Sequence, residues 1–500
     1  MSIASILSAL FTVDTVLCLC LGVFGGVLIG AMPGLSAAMG VTLLIPVTFG
    51  MDPVPALVML TAVYTSAVYG GSITAVLIHT PGTPSSACTA IDGFELTKQG
   101  KGMLGVGVAT IASMIGGTLS GIALLTISPL LAKFAMMCSA LEYFFLALFG
   151  VAIMGGLADK DPSKGLISGV FGLLLGMVGL DPINAVPRFT FGSLNMQVGI
   201  RIAPALIGLF AVSQVLIFVE EFAAGKKAIY DDPEKAMRGK ILPSKAEMIR
   251  LIPVTVKSGI IGIVTGIIPA AGGNIGSWMA YKTCRSASKY PDEYGKGSIE
   301  GVAASESANN AVTGGALIPL LTLGIPGSSV AAILLGGLMI HGLQPGAELF
   351  TKHANITYPI IVGFIFANVL MGIVGLLLAK PIARVCVIPM SILAPIILGL
   401  AALGAFATNN SFYDVIIMAV FGLVGYTMIK FGFSTAPMTL GLCLSSMVEG
   451  NWIRATVLSR GNMIKYFFNR PIAVCLAILV VFTLLGPIIS KLVKNKKVRN

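Results

Sequence analysis

The 500-residue sequence is poor in charge and in the side chains that enzymes and metal sites use most. Charged residues make up 11% of it, against roughly 25% in an ordinary soluble domain. Its three histidines, His79, His341 and His353, are scattered without metal-ligand spacing. It has no phosphate-binding GxxxxGK[ST] motif, no catalytic triad pattern and no Cys/His cluster. The sequence therefore predicts no enzyme, no metal site, no cofactor and no ATP-driven mechanism within this chain.

Apolar residues fill the space that charge leaves. They make up 56% of the chain, and the mean hydropathy is +0.94. The apolar runs exceed the roughly ten-residue alternating strands of membrane barrels. This composition predicts an all-α polytopic integral membrane protein of about 11–12 transmembrane helices, each of about 20 residues.

The net charge of +11 does not indicate a nucleic-acid partner, because the basic residues lie in loops and at the C-terminus. The densest clusters are Lys226–Lys257 and Lys491–Arg499, and the positive-inside bias predicts that both are cytoplasmic. The first basic residue is Lys98, so we expect the N-terminus outside. The basic loop Arg454–Arg470 disagrees with a simple alternation of sides.

Short matches that keep their order along the chain predict an internal duplication. We expect a first membrane repeat at 1–222, a charged cytoplasmic linker at 223–251, a second repeat at 252–450, and a terminal loop, extra helix and basic tail at 451–500. The matched positions are Gly26, Gly30, Pro33 and Gly40 with Gly262, Gly266, Pro269 and Gly276; Gly70, Pro81 and Gly82 with Gly315, Pro326 and Gly327; 170–173 with 420–423; and 203–209 with 436–442.

Two Pro-Gly pairs, Pro81-Gly82 and Pro326-Gly327, interrupt apolar sequence at matched places. They predict broken or re-entrant helices, whose free N–H groups and positive dipole ends suit an anion such as a carboxylate. The alternative is that Pro and Gly merely kink two membrane helices. We expect the segment that follows the first break to end in water at 92–98. The candidate substrate-binding residues are Ser72, Pro81, Gly82, Thr83, Ser85, Asn309, Asn310, Pro326, Gly327, Ser328 and Ser329.

Polar residues inside the apolar stretch 300–346 are candidates for ion coupling and binding. Glu306 is an intramembrane carboxylate that could carry a proton or bind a cation, or it lies in water at a helix mouth. Asn309 and Asn310 point about 100° apart on a helix, so one can pack as interhelical glue while the other faces a cavity. Asn274 could coordinate Na⁺ or cap the following helix.

Three stretches resemble the large membrane subunit of the bacterial tripartite tricarboxylate transporters. They are 69–100 (YGGSITAVLIHTPGTPSSACTAIDGFELTKQG), 181–192 (DPINAVPRFTFG) and 295–346, which holds GKGSIEGVAASESANNAVTGGALIPLLTLGIPGSS and HGLQPG. The resemblance extends over nearly the whole chain. It implies a permease in the bacterial cytoplasmic membrane, driven by a Na⁺ or H⁺ gradient. It further implies a small membrane subunit, a periplasmic solute-binding protein, and carboxylate substrates such as citrate and dicarboxylates.

Two other functions compete with a secondary carboxylate importer. A channel or pore needs a continuous polar lining and no coupling residue. An intramembrane enzyme needs a nucleophile–base pair or a metal site, and the sequence shows neither.

Overall fold

The computed structural model describes residues 3–32, 35–156, 162–181, 185–224, 239–268, 272–385 and 390–484. The elements up to residue 223 are α1 Ile3–Leu10, α2 Val13–Ala31, α3 Ala37–Thr48, α4 Pro53–Ile78, α5 Ser86–Lys98, α6 Gly102–Ala135, α7 Ala140–Gly156, α8 Pro162–Gly176, β1 Gly179–Leu180, β2 Pro187–Arg188, α9 Leu194–Gln197, α10 Ile202–Leu206, a π-helical turn Ile207–Val212, and α11 Ser213–Ala223.

The later elements are α12 Lys245–Ile267, α13 Gly272–Ala287, a 3₁₀ turn Pro291–Glu293, α14 Ile299–Leu323, α15 Ser329–Ile340, α16 Ala347–Thr351, α17 Ala354–Val385, α18 Met390–Asn409, α19 Phe412–Lys430, α20 Thr435–Leu458, α21 Met463–Phe468, and α22 Pro471–Leu484. Strands β1 and β2 form a short antiparallel pair, with Gly179 opposite Arg188. The predicted all-α class is confirmed.

Eight helices in the described part of the chain are long and apolar enough to cross a membrane. These are α2, α4, α6, the α10–α11 segment, α12, α17, α18 and α19. Helices α14 and α20 are equally long but more polar, and α3, α7, α8, α15 and α22 are apolar but shorter. The sequence estimate of 11–12 crossings includes several of these shorter or more polar helices. Length and hydropathy alone support eight crossings in the described residues. The protein is a multi-pass membrane protein.

Glycines bring α2 and α4 into close parallel contact. A methyl group at Gly26 would lie 2.8 Å from Cβ of Ser66, and one at Gly30 would lie 2.1 Å from the carbonyl oxygen of Ala67. Because the residue numbers of the contacting pairs increase along both helices, the two helices run in the same direction. Only glycine allows backbones to approach this closely.

The same packing recurs between α12 and α14. A methyl group at Gly262 would lie 2.4 Å from the carbonyl oxygen of Ala308, and one at Gly266 would lie 2.7 Å from that of Val312. These two helices also run parallel to each other. Helices α4 and α14 are buried along almost their whole length, with α2 and α12 packed against them.

Contacts between helices fix the relative direction of the two pairs. Helix α6 runs antiparallel to α4, since Tyr69 bonds Thr110 while Val76 packs on Gly105. Helix α6 runs parallel to α14, where a methyl group at Gly116 would meet Ser307 and Gly314 packs on Ser120. Therefore α4 and α14 cross the core in opposite directions.

One predicted segment boundary lies at the end of a helix, and others lie inside helices. Residue 222 lies at the end of α11, and residues 225–238 of the predicted linker are outside the described residues. Residues 245–251 form the first turns of α12, which a capping box of Ser244 and Glu247 initiates. Residue 450 lies inside α20. The basic tail 491–499 is outside the described residues.

Candidate functional site

The first predicted break is a reversal of the chain after α4. Helix α4 ends at Ile78, His79 takes a left-handed conformation (φ 54°), and α5 begins at Ser86. The connecting loop folds back on α4, where the N–H of Gly82 donates to the carbonyl of Gly71 over 3.2 Å. A methyl group at Gly82 would lie 2.6 Å from Cα of Gly71 and 2.8 Å from the carbonyl oxygen of Gly30.

The second break has a matching geometry after α14. Helix α14 ends at Leu323 with Gly324 left-handed (φ 74°), and α15 begins at Ser329. A methyl group at Gly327 would lie 2.5 Å from the carbonyl oxygen of Gly266 and 2.8 Å from Cα of Ala316. The prediction that both Pro-Gly pairs break a helix rather than kink it is confirmed.

The hydroxyl groups of the first break bind mainly one another. The Oγ1 of Thr83 lies 3.0 Å from the Oγ of Ser85, and the Oγ of Ser86 donates to the carbonyl of Thr83 over 2.8 Å. Ser85 is buried, whereas Pro81 is exposed. The first break is therefore partly open to its surroundings.

The second break is packed inside the protein. Pro326 and Gly327 are buried, and Ser328 and Ser329 are half-buried. The Oγ of Ser328 accepts the N–H of Ala331 at the start of α15, and it lies 2.9 Å from the hydroxyl oxygen of Tyr64 on α4. The two breaks thus differ in exposure although their backbones make matching contacts.

Two helix N-termini meet beside Asn309. A methyl group at Gly273, in the first turn of α13, would lie 3.1 Å from Cβ and Oγ of Ser85 and 3.2 Å from Oδ1 of Asn309. Ser85 directly precedes α5. The positive dipole ends of α5 and α13 therefore converge on one point in the core, as at many anion sites.

Asn309 and Asn310 have different environments, as the 100° between them predicts. Asn309 is 1% exposed, and neither its Oδ1 nor its Nδ2 has a hydrogen-bond partner. Asn310 donates from Nδ2 to Thr65 Oγ1 (3.1 Å) and Asn368 Oδ1 (3.2 Å). Asn310 thus links α14 to α4 and α17, whereas Asn309 has free bonding capacity at the convergence of the two N-termini.

Glu306 lies one turn before Asn310 and is fully buried. Its carboxylate accepts from Thr89 Oγ1 on α5 (2.5 Å) and from Ser113 Oγ on α6 (2.9 Å). The alternative that Glu306 lies in water at a helix mouth is excluded. Ser72 and Asn309 also lie beside this carboxylate, outside hydrogen-bond geometry. The predicted substrate residue Ser72 therefore belongs to the surroundings of Glu306 rather than to the first break.

The expectation that 92–98 ends this segment in water holds at the end of α5, where Lys98 is exposed, and is wrong for Asp92. Asp92 is 0% exposed, because its Oδ1 accepts the backbone N–H groups of Gly295 (2.7 Å), Gly297 (3.0 Å) and Ser298 (2.8 Å) just before α14. Its Oδ2 accepts the hydroxyl of Tyr281 on α13 over 2.8 Å. These four donors replace water, and they attach α5 to the start of α14.

An aromatic pair completes this attachment. The rings of Tyr281 and Tyr294 pack edge to face at 5.2 Å. Tyr294 lies in the loop before α14, where burial, and then the charge of Glu300, raise its pKa above the usual value. It stays a neutral donor to Glu300 Oε2 over 3.2 Å.

The structure also places Asn274, whereas the two upstream prolines lie outside its described residues. Asn274 is exposed and is the third residue of α13, so it lies within the helix and not at its N-cap. Pro33 and Pro269, at the predicted upstream turns, are outside the described residues.

Sequence reasoning missed several side chains that the fold brings to the site. Asn368 had a signal, since it is the one amide in the apolar run 360–378. Tyr64, Thr65, Thr89 and Ser113 had none, because a hydroxyl in a membrane helix usually bonds its own preceding turn. Their roles depend on which distant helix lies opposite.

Broken helices that surround buried polar groups inside a helical bundle are typical of membrane transport proteins. The chain belongs to the tripartite tricarboxylate transporter TctA family, which its residues 16–440 match. This confirms the resemblance noted from the sequence, and the family is named for a system of three components.

Two proteins of Agrobacterium vitis are similar to the chain. It is 34% identical over 491 residues to "Uncharacterized 52.8 kDa protein in TAR-I ttuC' 3'region", which covers 97% of this chain and 96% of the relative. It is 36% identical over 234 residues to "Uncharacterized protein in TAR-II ttuC' 3'region", which covers 46% of this chain and 96% of the relative. No solved structure matches.

Proposed function

We propose that the protein is the permease of an ion-gradient-driven carrier that imports carboxylate solutes across the bacterial cytoplasmic membrane. The observation that carries this proposal is the convergence of the α5 and α13 N-termini on the unpaired side chain of Asn309. An unpaired amide group in a dry core costs about 1–3 kcal/mol. A solute carboxylate placed there would accept from Asn309 Nδ2 and from the free N–H groups of the helix ends.

Helix dipoles and hydroxyls, rather than a basic side chain, would hold the solute. Among the described residues, every arginine–carboxylate pair lies elsewhere, as with Arg188–Glu449, Arg201–Asp414 and Arg470–Glu142. A site without a fixed cation binds an anion weakly enough to release it. This property suits a carrier.

The two halves of the chain provide the second support for a carrier. In the first half Gly82 contacts Gly30 and Gly71. In the second half Gly327 makes the corresponding contacts with Gly266 and Ala316. Helices α4 and α14, which carry Gly71 and Ala316, run in opposite directions. We interpret this as a pair of inverted repeats of the kind that secondary transporters use for alternating access. The different exposure of the two breaks fits one end state of such a cycle.

The distribution of charge supports the orientation in the membrane. Lys98, Lys245, Arg250 and Lys296 lie on the surface where α5 ends and α12 and α14 begin. The positive-inside bias makes this surface cytoplasmic. The start of α4 and the turn after α15, joined by the contact of His341 Nε2 with Thr48 Oγ1 (3.2 Å), then lie on the periplasmic side.

Family membership supports the partners. A tripartite system implies a small membrane subunit and a periplasmic binding protein that delivers the solute. The family name supports tricarboxylates or dicarboxylates as substrates. The cognate binding protein, screened by thermal shift against mono-, di- and tricarboxylates, would identify the solute to use.

Counterflow in proteoliposomes that contain both membrane subunits and the binding protein tests the proposal. A carrier exchanges labelled for unlabelled solute, whereas a channel only equilibrates it. We expect counterflow, and we expect uptake to stop with an uncoupler or a Na⁺ ionophore. Absence of counterflow, or uptake that stops only on ATP depletion, would refute the carrier.

A further inference from the structure

Hydroxyl oxygen atoms from three other helices surround the carboxylate of Glu306 on α14. Thr89 on α5 and Ser113 on α6 donate to it, and Ser72 on α4 lies beside it with its Oγ unpaired. All four side chains are fully buried. We call Glu306, Ser72, Thr89 and Ser113 the Glu306 cluster.

The Glu306 cluster has a negative charge and no positive one. Across the described residues, no lysine, arginine or histidine lies within 4 Å of this carboxylate. Tyr69 on α4 and Cys88 on α5, which feel the charge of Glu306, are acids and supply no cation. Intramembrane carboxylates ordinarily have a partner.

We propose that the Glu306 cluster is a binding site for one Na⁺ ion. Two carboxylate oxygens and three hydroxyl oxygens give a hard cation the oxygen ligands it prefers. A single positive charge balances the single carboxylate, and no second acid stands beside Glu306 to favour a divalent ion, since the described residues hold no group of three metal-ligating side chains. A proton would also neutralise Glu306, but it needs no shell of hydroxyl oxygens around the carboxylate.

This inference rests on the proposed function for its consequence in transport. Asn309 lies beside Glu306 on one side and beside Gly273 and Ser85 on the other. In the empty protein the amide of Asn309 faces an uncompensated carboxylate. Bound Na⁺ neutralises that charge, which removes the repulsion between the carboxylate and an anionic solute at Asn309. Ion and solute therefore favour each other's binding, and the coupling is reciprocal.

Na⁺ binding is measured on the purified protein without solute. NaCl replaces choline chloride at constant ionic strength, and the Tm of unfolding is followed. We expect Na⁺ to raise the Tm of the native protein and of the control Glu95→Gln, whose half-exposed side chain pairs with Lys98 on the same helix α5. We expect no response from Glu306→Gln.

Ser72→Ala is the sharper variant, because Ser72 Oγ has no partner to lose. Its Tm without Na⁺ should match the native value, while the Na⁺ concentration for the half-maximal shift should rise about tenfold. If Glu306→Gln does not fold, Ser72→Ala and Ser113→Ala decide the question. A Na⁺ response of Ser72→Ala equal to the native one would overturn the site.

Three further outcomes separate the hypotheses. If Na⁺ has no effect but acidification raises the Tm of the native protein and not of Glu306→Gln, the ligand is a proton and the Na⁺ proposal is wrong. If Na⁺ binds as expected but counterflow is absent, the carrier proposal fails while the ion site stands. If counterflow occurs and no variant alters the Na⁺ response, the ion site fails alone.

Discussion

The hydroxyl oxygen of Tyr64 lies 2.9 Å from the hydroxyl oxygen of Ser328, although 264 residues separate them. Tyr64 belongs to the middle of α4, and Ser328 caps the N-terminus of α15. This bond attaches the second break of the chain to the core of the first half. It belongs to the conformation in which the second break is closed.

Tyr64→Phe should therefore favour opening of the second break. Loss of a buried hydrogen bond of about 1 kcal/mol corresponds to about a fivefold shift in an equilibrium. A cysteine at Ser329, in a background without the native cysteines, should react several-fold faster with a small maleimide in Tyr64→Phe. Tyr413→Phe, on α19, is the control and should leave the rate unchanged. Equal rates in all three proteins would show that the bond does not hold the break closed.

Asn309→Ala and Asn310→Ala should fail in different ways. Asn309 makes no hydrogen bond, so its replacement should leave stability unchanged or higher while solute binding is lost. Asn310→Ala removes a donor to Thr65 and Asn368, and it should lower the free energy of unfolding by about 1–3 kcal/mol. Thermal unfolding and counterflow on the same preparations check both. A destabilised Asn309→Ala with normal counterflow would contradict the site.

Gly30→Ala should prevent normal packing of α2 on α4. The added methyl group would lie 2.1 Å from the carbonyl oxygen of Ala67, which is backbone and cannot turn aside. We expect little folded protein in the membrane fraction. Gly25→Ala on the same helix has nothing within 4 Å of its methyl group and should accumulate normally. Size-exclusion chromatography measures the amount of monodisperse protein, which should be much lower for Gly30→Ala than for Gly25→Ala.

A disulfide between Ser85→Cys and Gly273→Cys tests the convergence of the two helix N-termini. The two Cβ positions lie 3.1 Å apart, slightly closer than the usual 3.5–4.5 Å, so a small shift permits the bond. We expect the bond to form with a mild oxidant, to stop counterflow, and to form more slowly with solute bound. Ser85→Cys with Trp278→Cys, which is exposed further along α13, should not cross-link. If Ser85→Cys and Gly273→Cys never join, the anion site is wrong.

Local chemistry made the breaks predictable from the sequence. Proline and glycine each disfavour a helix, and their pairing at the matched places Pro81-Gly82 and Pro326-Gly327 predicted a break at both. The matching contacts of Gly82 and Gly327 show that the aligned positions also have corresponding surroundings.

Partners across helices were not predictable in the same way. Asp92 was expected in water because it is charged. Its burial is explained only by donors about 200 residues later, which are three backbone N–H groups and the hydroxyl of Tyr281. Thr89 and Ser113 look like ordinary helix hydroxyls until the fold places Glu306 between them. Residues that act through long-range packing leave no local pattern.

The bonds of Asp92 also affect how this protein is made. Helix α5 leaves the ribosome long before residues 295–298, which supply three of the four donors to its carboxylate. During that interval Asp92 is an uncompensated charge in a segment too short to span the bilayer. Helix α5, which carries Thr89 and follows Ser85, can therefore reach its final position only after the second half of the chain has been inserted. Assembly of the site is thus a late event of biogenesis, and a ribosome-bound chain that stops before residue 295 has no formed site.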